Sequence, residues 1–117
     1  MLWRAGRRWL RNRYRREALR RLQGLGVAPA PAAVNEILKL AAMNASSREE
    51  VSRLSGTAWI DWLSARCEAT PFSGASISLL HAGIYQTNNN PDQTLRQALR
   101  CEAQEWLIQH RDDHGIA

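Results

Sequence analysis

The stretch Leu54-Ser55-Gly56-Thr57-Ala58-Trp59-Ile60-Asp61-Trp62-Leu63 constrains the fold more than any other. Two indoles three residues apart share one face of a helix, and each buries roughly 150–250 Å². Ile60 and Leu63 widen that face and leave Asp61, Ser64 and Arg66 for solvent. We expect this helix to start with Thr57 as N-cap, to run to about Cys67 and to form the centre of the fold. Gly56 then serves as the left-handed stop of the helix before it.

The flanking segments also read as helices. Residues 2–22 hold no Pro, a single Gly (Gly6) and mostly good helix formers, which predicts one long basic helix. Its arginines point in nearly every direction up to Arg16, so that half cannot enter a core. Ala18, Leu19, Leu22 and Leu25 form an apolar stripe farther on, so the second half is expected to dock on the body. Gly24, Gly26 and the stiff Val27-Ala28-Pro29-Ala30-Pro31 connector end it.

Val34, Ile37, Leu38 and Ala41 predict a helix from about Pro31 to Met43. Ser47-Arg48-Glu49-Glu50 has the capping-box form and opens a short helix buried through Val51 and Leu54. Phe72 anchors the turn that follows the tryptophan helix. Residues 76–83 read as a further short helix, with Ile84-Tyr85 less regular. Asn90 as N-cap and Pro91 at the first position start a last helix with Leu95, Ala98, Leu99, Ala103, Trp106 and Leu107 on one face. It ends near Gln109 or Arg111, and residues 112–117 should fray.

The result is an all-α fold: a small helical bundle of about five to six helices with a long basic N-terminal helix. Residues 1–23 form the basic part, and residues 24–117 form a single helical domain. Trp59, Trp62, Leu63, Leu99 and Trp106 are its expected structural core. The length of 117 residues suits one small domain. No segment reaches the ~20 apolar residues of a membrane-spanning helix.

The chemistry of the chain is sparse. His81, His110 and His114 lack the partners of a metal site, although His110 and His114 stand four residues apart on a fraying terminus. Ser55-Gly56 lacks the first glycine and the preceding strand of a nucleophile turn. Glu49, Glu50, Asp61 and Glu68 read as caps and solvated faces. No glycine-rich loop with a lysine is present to hold phosphate. We therefore expect no catalytic residue, no cofactor and no metal. Cys67 and Cys101 are expected as two buried thiols, with a single disulfide as the alternative. The N-terminus has no apolar core or cleavage site of a signal peptide.

The charge is not sparse. Residues 1–23 carry nine arginines against Glu17 alone, a net of +8, while residues 24–117 carry Lys39 and six arginines against ten acids, a net of −3. A solvated helix would normally mix in acids for i, i+4 pairs. This excess of one sign points to an anionic partner: nucleic acid, through phosphate contacts and counterion release, or an anionic membrane surface, where each basic residue contributes roughly 1 kcal/mol. Trp3, Trp9 and Tyr14 are types that collect at a membrane–water interface and are densest at the extreme N-terminus, which favours the membrane. Arg4, Arg7, Arg8, Arg11, Arg13, Arg15 and Arg16 are the expected surface contacts, with Trp3 and Trp9 at the interface.

The run Asn12-Arg13-Tyr14-Arg15-Arg16-Glu17-Ala18-Leu19-Arg20-Arg21-Leu22, then Leu54-Ser55-Gly56 with Trp59 and Leu63, then Ile84-Tyr85 before a helix with Trp106, resembles a bacterial family of unknown function. Its members are encoded beside MoxR-type AAA+ ATPases and von Willebrand factor A domain proteins. The resemblance spans nearly the whole chain, and none of its motifs is catalytic. It implies one transmembrane helix directly before the arginine-rich stretch. The chain starting at Met1 would then be a soluble piece of a longer protein, with Leu2-Trp3 left from the end of the span.

By the positive-inside rule the resemblance places the domain on the cytoplasmic side of the inner membrane. It also implies a non-enzymatic adaptor or assembly component working with the ATPase and von Willebrand factor A proteins. The alternative is a small basic nucleic-acid-binding protein using the same N-terminal helix.

Overall fold

The computed structural model describes residues 12–82 and 92–112. Six helices and no strand occur among them: α1 Arg13–Gly24, α2 Pro31–Ala45, α3 Arg48–Ser52, α4 Gly56–Ala65, α5 Gly74–Ala82 and α6 Gln93–Gln109. The fold is all-α, as the periodicity of the sequence requires.

The centre lies elsewhere than the tryptophans suggest. Helix α2 packs against α1, α3, α5 and α6, whereas α4 makes its main helix contact with α5. The reason is side-chain size. Val34, Asn35, Ile37, Leu38, Ala41, Ala42 and Ala45 are all buried on α2. At 100° per residue they cover an arc of about 160°. The three alanines let neighbouring backbones come close, which two indoles cannot do. Trp59 and Leu63 of α4 still enter the core, and Leu99 and Trp106 of α6 are fully buried. Trp62 is half-buried against the same cluster.

Local signals fix most helix ends. The α1 backbone closes with Gly26 N–H donating to Gln23 O at 3.3 Å, and Gly26 has a φ of +93° that only glycine adopts freely. Pro31 stands in the first turn of α2 after an extended Ala30. Ser47 caps α3 by accepting from the Glu50 N–H. The Glu50 carboxylate turns to the Ser46 hydroxyl at 3.1 Å. Gly56 has a φ of +55° and follows an extended Ser55. It is left-handed as expected, but α4 begins at that residue, so Thr57 is inside the helix and not its cap.

Three other expectations need correction. The cap of α6 is Asp92, whose carboxylate accepts from Thr94 N–H at 3.4 Å; Asn90 and Pro91 lie outside the described residues. Leu95 is 38 % exposed and Ala98 is also exposed, so the buried face of α6 starts at Leu99. Cys67 is buried but Cys101 is exposed, and both thiols are free. Ile84 and Tyr85 also lie outside the described residues.

Candidate interaction surface

Helix α1 divides its arginines between two tasks. Arg13, Arg20 and Arg21 are exposed, and Arg16 is half-buried. Arg15 turns inward. Its Nη1 donates to the carbonyls of Leu107, Ile108 and His110 at 3.3, 3.0 and 3.1 Å. Leu107 and Ile108 carry two of the last helical carbonyls of α6, which no residue of that helix can satisfy. A cation there also meets the negative end of the helix dipole. Nη2 of Arg15 stands 3.8 Å from the Asp112 carboxylate.

Tyr14 docks beside it. Its hydroxyl lies 2.9 Å from His110 Nε2 and 3.4 Å from the Asp112 carboxylate. The other ring nitrogen of His110, Nδ1, is 2.9 Å from the Trp106 carbonyl. A carbonyl can only accept, so Nδ1 carries the proton, Nε2 is the acceptor and the Tyr14 hydroxyl donates to it. Burial, then the neighbouring Arg15 guanidinium, hold the His110 imidazole down at about 4. Burial pushes the Tyr14 phenol up to about 12. Both groups are therefore neutral at ordinary pH.

His110 belongs to an aromatic row, with the Tyr14 ring edge-on to it at 5.9 Å. It stacks on Trp106 at 4.1 Å with planes 3° apart, and Trp62 stands between Trp106 and Trp59 at 6.4 and 6.0 Å. The row is fastened by directed bonds. Trp106 Nε1 donates to Leu63 O at 2.8 Å, and Trp59 Nε1 donates to Asn35 Oδ1 at 2.8 Å. Lys39 lies 4.6 Å from the Trp59 ring and donates to the carbonyls of Val51 and Leu54. Arg111 donates to Ala65 O at 3.1 Å and closes the end of α4. Trp59 and Trp106 are thus packed and hydrogen-bonded within the body, while the Trp62 indole is held by ring contacts, with the Arg66 guanidinium 4.3 Å from its centre.

The groove between α1 and α2 has a volume of about 170 Å³. Ala18, Ile37 and Ala41 form its floor, and Glu17, Arg21 and Leu40 stand on its rim. Leu40 is 39 % exposed, among the larger apolar exposures of the described residues. A sequence signal for this groove exists: Leu40 falls outside the Val34, Ile37, Leu38, Ala41 stripe of its own helix.

Of the residues expected at a membrane surface, Arg4, Arg7, Arg8, Arg11, Trp3 and Trp9 lie outside the described residues. Arg13 is on the outer face of α1, while Arg15 serves the body. Tyr14, grouped with the interfacial aromatics on composition, is bonded to His110. Nothing in the local sequence marks the Tyr14, Arg15, His110 and Asp112 cluster, because its members are brought together only by the packing of α1 against the end of α6.

Among the described residues no three His, Cys, Asp or Glu side chains gather as a metal set. No described helix is long and apolar enough to cross a membrane. Searches of curated proteins and of solved structures find no match to the chain. A family model described as "Domain of unknown function (DUF4381)" matches residues 1–109, nearly the whole chain, and the chain therefore belongs to that family.

Proposed function

We propose that this chain is a non-enzymatic adaptor or assembly domain. In this reading the arginine-rich N-terminus holds it at the anionic cytoplasmic face of the inner membrane, as part of a single-span protein. Its partners are a MoxR-type AAA+ ATPase and von Willebrand factor A domain proteins. The observation that carries the reading is the partition of charge: +8 over residues 1–23 against −3 over the rest. Arg15 is engaged with α6, but Arg4, Arg7, Arg8, Arg11, Arg13 and Arg16 stand on the same segment, and at roughly 1 kcal/mol per basic residue near an anionic surface such a set supplies appreciable affinity. The clamp of Arg15 ties α1, the part of the basic segment that the structure describes, to the end of α6.

The test is flotation of the full chain with vesicles of phosphatidylserine and phosphatidylcholine, beside vesicles of phosphatidylcholine alone. The chain should float with the anionic vesicles, and Arg7→Glu, Arg8→Glu and Arg11→Glu together should weaken this with helical content nearly unchanged. Equal flotation of the triple variant would sink the surface role. Tight duplex DNA or RNA binding that falls steeply with salt, without vesicle binding, would favour the nucleic-acid reading.

A further inference from the structure

We propose that the folded domain lies side-on against an anionic bilayer, with the outer face of α1 along the surface and the Leu25-Gly26-Val27 tip set among the lipid headgroups. This rests on the membrane reading above and adds a second contact, made by the body itself. The tip is apolar and stands clear. Val27 is 66 % exposed, the highest value among the large apolar side chains of the described residues, and Leu25 is 39 % exposed. A Cβ placed on Gly24 or Gly26 would meet no atom within 4 Å, so both positions face open space. Helices α1 and α6 run antiparallel: Arg15 meets residues 107–110, and at the opposite end Arg96 Nη1 donates to Ala28 O at 3.2 Å. This brings the exposed Leu95 to the same end as Leu25 and Val27. Protruding apolar side chains of this kind enter the interfacial layer of a bilayer without a preformed pocket.

Charge selects an anionic surface. At 100° per residue Arg13, Arg16 and Arg20 fall within an arc of about 60° on α1, and Arg13 and Arg20 are exposed. Glu17, the only acid of α1, lies outside that arc and pairs with Arg21 at 3.4 Å. The arginine line thus carries no acid, and Arg20 stands five residues before Leu25. Asp92, at the start of α6, caps its own helix. Arg13 and Leu25 are about 18 Å apart along the helix axis. Contact at both ends therefore lays α1 parallel to the surface, as basic amphipathic helices lie in a bilayer interface.

The test uses the full chain with an environment-sensitive nitrobenzoxadiazole dye at Val27→Cys, and separately at Thr57→Cys on α4, where Thr57 is exposed; Cys101→Ser removes the exposed thiol from both. Vesicles are phosphatidylserine with phosphatidylcholine, or phosphatidylcholine alone. With the anionic vesicles the dye at position 27 should shift to the blue and be quenched by lipids brominated near the headgroup, and the dye at position 57 should do neither. In the unlabelled chain, Leu25→Ser with Val27→Ser should weaken binding to these vesicles about tenfold with helical content unchanged. No shift at position 27 while the labelled chain still floats would overturn the proposal and leave the N-terminal contact standing. No flotation at all would remove both. Equal quenching at positions 27 and 57 would overturn the side-on orientation, and an equal shift with phosphatidylcholine alone would overturn the part given to the arginines. A shift that needs no vesicles and grows with protein concentration would assign the tip to a second copy of this chain and overturn the proposal.

Discussion

The hydroxyl of Tyr14 meets Nε2 of His110 at 2.9 Å across 96 residues of sequence. This bond, with Arg15 one position along α1, joins the two ends of the described chain. The basic segment is consequently not an independent appendage. Its second half is a structural wall of the bundle, packed on α2 and α6.

Arg15→Ala should lower unfolding stability by about 2 kcal/mol, since it strips charge-assisted donors from the end of α6 and leaves the part-buried carbonyls of Leu107 and His110 without them. Arg15→Lys should recover only part of this, because an ammonium lacks the planar fork that reaches several carbonyls together. Urea unfolding checks both. Arg13→Ala, on the exposed face, serves as the control and should change stability by less than about 0.5 kcal/mol.

His110 sets a pH dependence. Its imidazole titrates at about 4 in the folded protein, below its ordinary 6.5. Between those values the unfolded chain binds the proton and the folded chain does not, so stability falls as pH drops through that window. At full extent the loss is about 3 kcal/mol. Above neutrality this group contributes no slope. His110→Phe keeps the stacking on Trp106 and should remove this component of the pH dependence, measured by denaturant titration at neutral pH and near pH 4.

Asn35→Ala should cost about 2 kcal/mol, chiefly by leaving the buried Trp59 indole N–H without an acceptor. Thermal unfolding followed by tryptophan fluorescence measures it. A neutral outcome would mean that the indole finds another partner.

Lys39→Met should cost about 1–2 kcal/mol, through loss of the cation over Trp59 and of the donor to Val51 and Leu54. The methionine retains most of the buried stem, so the change isolates the ammonium. Amide exchange in α3 should quicken more than exchange in α6.

Thiol labelling should be biphasic. Cys101 is exposed and should react at once with a disulfide reagent. Cys67 is buried, and burial pushes its thiol up from the usual value, so it should react only as the chain unfolds. Single Cys→Ser variants assign the two phases.

Local rules determined much of this molecule. Helical periodicity, the glycines at positions 26 and 56 and the Ser47 cap act over a few residues, and a single sequence contains all that such signals need. The charge partition is likewise a property of the chain alone, and it motivates the functional reading without assistance from the fold. Tertiary structure decided what depends on distant neighbours. Helix α2 became the hub because Ala41, Ala42 and Ala45 permit close packing on several sides, a property of the space around them and not of their hydrophobicity. Arg15 could not be separated from Arg13 or Arg16 by composition, since its role follows from three carbonyls more than ninety residues away. The exposed Cys101, the bonded Tyr14 and the α1–α2 groove have the same origin: helix-to-helix rotation and crossing, which periodicity leaves undetermined, selects which side of each residue meets water.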